Sequence, residues 1–295
     1  MEEQGTRNIM WNKLLNLDRR WIFVVTSICV IVPFLLPIGF PTNITPPTQS
    51  IYDKIESTPK DGPAVIVSFD ADAAALPELY PMAVSLIRHC FVSNKRVILW
   101  GMNMEGVGII QMALVDVKKD FPEKKSGVDY VLMPYLPFPA IVVMKMGEDI
   151  HKAFNTDYYG MTIDSLPMMK DIRNFDQISL VVSITAASAW AVWVSFANQK
   201  YGCNVATGIT AVGAPDCYPY LQTKQLIGML GGMKGAAEYE TLVEKKIAGD
   251  GLTFKTRKAA CIGMDTQSVV HIVMIIFIML GNIAYFVVRR QKNVA

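Results

Sequence analysis

The chain has 295 residues, of which 52% are hydrophobic and only 18% charged, with a formal net charge of +2. That balance excludes a disordered chain and is too apolar for an ordinary soluble protein of this size. It also leaves no concentrated basic face for nucleic acid, so no nucleic-acid partner is expected.

Residues 1–20 read as a cytoplasmic tail carrying Arg7, Lys13, Arg19 and Arg20. Residues 21–40, WIFVVTSICVIVPFLLPIGF, are uncharged, and twenty residues at about 1.5 Å each reach across a hydrocarbon core of about 30 Å. The run is longer than a signal-peptide core of about 7–15 residues, and no small-residue cleavage site follows it, so retention as an anchor is expected. Residues 269–288, VVHIVMIIFIMLGNIAYFVV, repeat the pattern ahead of Arg289, Arg290 and Lys292. Basic residues outside both spans place both termini in the cytoplasm and the central domain on the other side of the cell membrane. Lys255, Arg257 and Lys258, in a basic juxtamembrane linker of residues 246–268, oppose that bias.

Between the anchors, Pro41, Pro46, Pro47 and Pro59 in residues 41–62 favour an extended stalk. The folded domain is expected over residues 63–245. AVIVSFD (64–70), RVILWGM (96–102), VDYVLM (128–133), AIVVMKMG (140–147), ISLVVSIT (178–185) and, last, NVATGITAV (204–212) are apolar or β-branched runs that read as strands. Segments 76–93, 106–121 and 188–202 have helical spacing between them, and 220–243 reads as the last helix. Residues 147–177 break the alternation and read as an excursion over the sheet. The whole implies a single Rossmann-like three-layer α/β domain with a mainly parallel sheet of five or six strands, flanked by N- and C-terminal transmembrane helices.

Ligands of open α/β sheets bind at the carboxyl ends of strands, which directs attention to Asp70 and Asp72, to Gly106 and Gly108 at a helix start, and to Asp216. Two carboxylates at a strand end suit a hard cation. The Asp70-x-Asp72 spacing is similar to the motif that opens the haloacid dehalogenase phosphatases. That likeness covers this strand and turn alone: Ala73 and Ala74 stand where the family carries Thr or Val, and its later Thr or Ser, Lys and acidic pair are not matched in order. The other reading of the pair is structural, with Asp72 capping the next helix and Asp70 closing a turn. Gly106 and Gly108 lack the third glycine of a dinucleotide fingerprint, since Gln111 occupies its place.

Four glycines, Gly228, Gly231, Gly232 and Gly235, would leave a smooth face on the last helix for close packing. PYLPFP presents Tyr135, Leu136 and Phe138, and DYYGM (157–161) and LPMM (166–169) are similarly apolar for connecting sequence, which points to partner contact. In the second anchor, Asn282 needs a hydrogen-bonding neighbour and Gly281 permits one to approach. The cysteines show neither CxxC nor zinc spacing, a disulfide stays open, and no metal or cofactor is expected. With no hydrolase, nucleotide-loop or metalloprotease motif, and with His89, His151 and His271 read as structural, no catalytic residue is assigned. The expectation is therefore a non-enzymatic, scaffolding subunit of a membrane assembly, a homo- or hetero-oligomer with other membrane-protein subunits. The alternative is a membrane-tethered enzyme or ligand-sensing domain with a small, phosphorylated or metal-bound ligand at the strand ends.

Overall fold

The computed structural model describes residues 18–252 and 258–292, so Arg7, Lys13, Lys255 and Arg257 lie outside the described residues. The chain divides into two units, Thr42–Cys261 and a second made of Met1–Pro41 with Ile262–Ala295.

The first helix, α1 (Arg19–Leu35), has 17 residues and is capped by Asp18. It is shorter than the expected span of residues 21–40, because Pro37 disfavours helical geometry at Leu36, whose φ of −124° and ψ of 82° leave the helical region, and Gly39 has φ +76°.

In the α/β unit the supposed stalk is instead folded. Helix α2 (Pro46–Ser57) places Pro46 and Pro47 in its first turn, where a missing N–H costs nothing, and buries Thr48, Ile51 and Ile55. Strand β1 (Ala64–Asp70) leads through a 3-10 turn (Ala73–Ala75) into α3 (Leu76–Val92). Next come β2 (Val97–Gly101), α4 (Met104–Lys118) and β3 (Tyr130–Met133). The segment AIVVMKMG then forms α5 (Pro139–Glu148), not the expected strand. Pro139 presets the first turn, and Val142, Val143, Met146 and Gly147 are buried at helical spacing, a pattern that a short continuous apolar run conceals.

Residues 150–177 cross one face of the sheet as α6 (Ile150–Ala153) and three 3-10 turns, burying Phe154, Ile163, Met169 and Phe175 in the core beneath them. LPMM, expected as an apolar loop, is part of that core. After β4 (Ile178–Thr185) the chain passes through α7 (Ala189–Trp193), a π turn (Val194–Asn198) and α8 (Gln199–Tyr201). β5 (Val205–Ile209), α9 (Ala214–Gln222), β6 (Gly228–Gly231) and α10 (Gly232–Gly249) complete the unit. The single helix expected over residues 220–243 is thus replaced by a helix end, a sixth strand and a new helix, and β5 is not the last strand.

All six strands are parallel, in the order β3-β2-β1-β4-β5-β6. The order reverses between β1 and β4, which makes their carboxyl ends the switch point of a doubly wound sheet. Alternation along the strands sorts the core into two layers. Ile66, Trp100 and Val181 face α5 to α9 and the excursion, whereas Gly101, Gly208 and Gly228 touch α4, α3 and α2 on the other face. The aliphatic strand residues are buried on both faces, as parallel sheets require.

Helix α11 (Ala259–Lys292) takes in the last ten residues of the expected linker and all of the expected second span, while the linker's first residues belong to α10. Its Ala259–Arg290 portion is long and apolar enough to cross a membrane, and it is the one helix among the described residues that is. Asp265 accepts bonds from the N–H groups of Gly39 (2.7 Å) and Phe40 (3.1 Å), fixing the exit of α1 against α11.

Candidate functional site

At the switch point, Asp70 ends β1 opposite Thr185 at the end of β4. Thr185 Oγ1 lies 3.5 Å from Asp70 Oδ2 and also accepts from Ala187 N–H at 3.0 Å. Burial pushes the Asp70 carboxyl above its ordinary pKa, only partly opposed by Thr185. Asp72 is exposed and caps the following turn through Ala74 N–H. Asp216 lies apart on the strand sequence, exposed in the first turn of α9 beyond β5, where a carboxylate suits the helix N-terminus. No group of three or more His, Cys, Asp or Glu side chains suited to a metal occurs among the described residues.

The glycines have packing roles. Asn103 caps α4 by accepting from Gly106 N–H at 2.5 Å, and a Cβ on Gly106 would meet Phe69 O at 2.5 Å. Gly106 therefore lets α4 seat on β1, and its N–H is already occupied; Gly108 faces open space. Gly228 and Gly231 bound β6, not a helix face: a Cβ on Gly228 would meet Pro47 O at 2.4 Å. Gly232 has φ +59°, and Gly235 abuts Leu230. The expected smooth glycine face on one helix does not form, because the glycines serve the strand-to-helix turn.

Beside that turn lies a groove of about 500 Å³, walled by the start of α2, by α9 and by α10. Its polar groups are joined: Glu238 accepts from Thr45 N–H (2.9 Å), Thr45 Oγ1 (2.6 Å) and Lys234 Nζ (2.6 Å). These bonds hold its carboxylate below the ordinary pKa even though burial raises it. The remaining wall is largely apolar, with Met229, Ala214 and Tyr218.

A buried polar cluster ties α2, α3 and α10 together. His89 contacts Glu56 Oε1 at 2.8 Å and Tyr239 Oη at 2.7 Å, and stacks on Tyr52 with centroids 4.4 Å apart. Glu56 also accepts from Ser93 (2.6 Å) and Lys246 (2.8 Å), while Lys95 donates to the carbonyl of Thr58. His151 is equally committed, to Asp164 at 2.6 Å and the carbonyl of Met169 at 2.9 Å. Both rings are thus held by partners within the fold. Glu56, Glu238 and Tyr239 escaped the sequence reading because His89, Thr45 and Lys246 are distant from them in sequence, and Lys234 because its i,i+4 pairing with Glu238 resembles any helix-surface pair.

The expected partner residues divide. Tyr135 and Phe138 are exposed, Phe138 at φ +59°, whereas Leu136 packs on the core. The DYYGM turn is fastened to the sheet edge: Tyr158 N–H donates to Leu132 O of β3 at 2.8 Å, and its hydroxyl donates to Gln111 of α4 at 3.1 Å. Asp157 holds Tyr159 and Met161 by their N–H groups. Tyr158, Tyr159 and Met161 are exposed, and the Tyr158–Gln111 bond ties their turn to α4, whose exposed residues include Met104, Gly108, Met112 and Val115. On α11, Gly281 and Asn282 are exposed, and Gly281 has open space beside it.

All five cysteines are free. The thiols of Cys90, Cys203 and Cys217 are each pushed by burial up to about 12, which leaves them inert as nucleophiles. No family model, characterised protein or solved structure matches the chain.

Proposed function

We propose that the chain is a two-pass docking subunit of a membrane assembly, its α/β domain held outside the cytoplasm by α1 and α11. The surface formed by Met104, Met112, Val115, Tyr158, Tyr159 and Met161 seats a segment of another membrane-anchored subunit. The observation that carries this reading is the exposure of Met104, Met112 and Val115 on α4 together with Tyr158, Tyr159 and Met161 on a turn that Tyr158 fastens to Leu132 and to Gln111 of α4. Contiguous exposed apolar area marks interaction sites, and Met and Tyr are enriched at interface cores. Support for the two-pass arrangement comes from the uncharged run through residue 40, the Asp265 bonds to Gly39 and Phe40, and basic residues at the outer ends of both helices.

The test is native mass in mild detergent after extraction from membranes of the source cell. The wild type should migrate well above the mass of one chain. A Met112→Asp, Tyr159→Asp double variant should migrate as a monomer with an unchanged melting temperature. A monomeric wild type, or a variant that stays assembled, would sink the reading.

The groove beside β6 favours a second reading, a ligand-sensing domain, because about 500 Å³ lies within the range of about 300–1,000 Å³ typical of small-molecule pockets. A ligand of that groove would raise the melting temperature of the wild type and not that of a Gly231→Leu variant, whose Cβ would sit 3.6 Å from Ala214 and Met229 of the lining.

A further inference from the structure

Ser68 of β1 and Ser183 of β4 are register partners at the centre of the sheet. Both are fully buried, and neither hydroxyl has a hydrogen-bond partner among the described residues. Native interiors rarely leave such groups unpaired, and an orphan usually marks a missing water, ion or ligand. One register pair nearer the strand ends, on the same face by alternation, are Asp70 and Thr185. One pair deeper, Ile66 and Val181 are aliphatic. The oxygen-bearing patch runs across β1, β4 and β5, where buried Thr207 is the register partner of Ser183 and donates to its carbonyl at 2.9 Å, and it opens toward the switch point.

The surroundings decide the sign of the ligand. Residues 64–87, 97–117, 178–199 and 205–223 contain no Lys, Arg or His, so the strands β1, β2, β4 and β5 and the loops that follow them bring no cationic side chain. They bring Asp70, Asp72, Glu78, Glu105 and Asp216. A phosphate would meet only like charge here, and the loop after β1 has alanines where a phosphate cradle needs glycines. The crevice of a doubly wound sheet lies between the loops after β1 and β4, and the residues at its lips are small and exposed: Ala73, Ala74, Ala186, Ala187 and Ser188.

We propose that this crevice binds one hydrated divalent cation of the Mg²⁺ or Ca²⁺ class. Asp70 and Thr185 supply oxygens, Asp72 adds charge at the lip, and water on the ion donates hydrogen bonds inward to the hydroxyls of Ser68 and Ser183. The hydration fits the spacing, because the two register pairs are about 7 Å apart along the strands, too far for one bare ion to touch both. The upward push that burial gives the Asp70 carboxyl is what an added cation would reverse. With so few charged ligands the affinity should fall near that of weak Ca²⁺ modules, about 10⁻⁴–10⁻³ M.

The experiment uses the full chain in detergent micelles, freed of metal by EDTA and titrated with Mn²⁺ while the free-ion EPR signal is followed. Melting curves in Mg²⁺ and Ca²⁺, against NaCl of matched ionic strength, accompany it. The expected result is loss of about one equivalent of free Mn²⁺ signal in the affinity range above, together with a saturable rise in melting temperature. Asp70→Asn should weaken binding at least ten-fold, and Thr185→Val provides the same comparison if the first variant does not fold. Ser183→Ala removes an orphan hydroxyl, so it should raise the melting temperature in EDTA yet weaken Mn²⁺ binding. Unsaturable Mn²⁺ binding by the wild type would overturn the proposal. So would equal affinity in Asp70→Asn or Thr185→Val, or a Ser183→Ala shift that is the same with and without metal, which would mean an ordinary buried water.

Discussion

His89 Nε2 lies 2.8 Å from Glu56 Oε1, joining α3 to α2 in the buried layer beneath α10. Burial holds the imidazole below its ordinary pKa of 6.5, so it is neutral at pH 7, donating through Nε2–H to Glu56 and accepting from the Tyr239 hydroxyl. Glu56 is held well below the usual carboxylate range, chiefly by the His89 bond and then by Lys246 and Ser93.

Both shifts act in the same direction on stability. As pH falls below 6.5 the unfolded chain protonates His89 while the folded chain resists, so the unfolded state binds more protons and stability declines. Below about 4.5 the same applies to Glu56, whose full contribution exists only above that value. The melting temperature should therefore fall from pH 7 to 5 and fall faster below pH 4.5. His89→Gln should flatten the upper part of that profile, and an unchanged slope would show that the imidazole is not the titrating group.

Helix α2 should be required for the α/β unit to fold. Ile51 is fully buried against β6, and Ile51→Ala should cost about 2–5 kcal/mol in chemical denaturation. The fragment 42–261 should melt cooperatively, whereas 63–245, which lacks α2 and the end of α10, should not.

Two glycines should respond oppositely to alanine. At Gly228 the new Cβ would sit 2.4 Å from Pro47 O and 2.6 Å from Ile51 Cγ1, and the overpacking should cost about 1–3 kcal/mol. At Gly108, exposed on α4 with nothing within 4 Å, alanine should stabilise by about 0.5–1 kcal/mol through helix propensity. Thermal melts of the two variants in one buffer would settle both signs.

Membrane attachment should resist alkaline carbonate washing, because α11 presents an apolar surface over most of its length. Removing residues 259–295 should loosen but not abolish the attachment if α1 also inserts. Complete release of that truncated chain would restrict the anchor to α11.

Much of the architecture was legible because it is local. Buried parallel strands need continuous β-branched runs, and β1, β2, β3 and β4 carry them; α3 and α4 repeat apolar residues at helical spacing between them. Asp72 as a cap could also be read directly, since the cap and the N–H it bonds are two residues apart. The segments that misled are those whose local preference is weak or ambiguous. Residues 140–147 satisfy either period, the prolines of 46 and 47 suit a first helical turn as well as a stalk, and GMLG has little strand propensity.

The sequence by itself determined that this chain has an apolar helix near its C-terminus and an alternating α/β unit before it, because periodicity and hydrophobic length act over a few residues. Tertiary structure alone decided that β6 exists, since its glycines are favoured only once α2 lies against them. It likewise decided that Ser68 meets Ser183, 115 residues further along the chain, and that His89 meets Tyr239 across 150 residues. Such neighbours are set by strand order and helix packing, in which burying apolar surface offsets the entropy of closing long loops, and no local pattern encodes that balance.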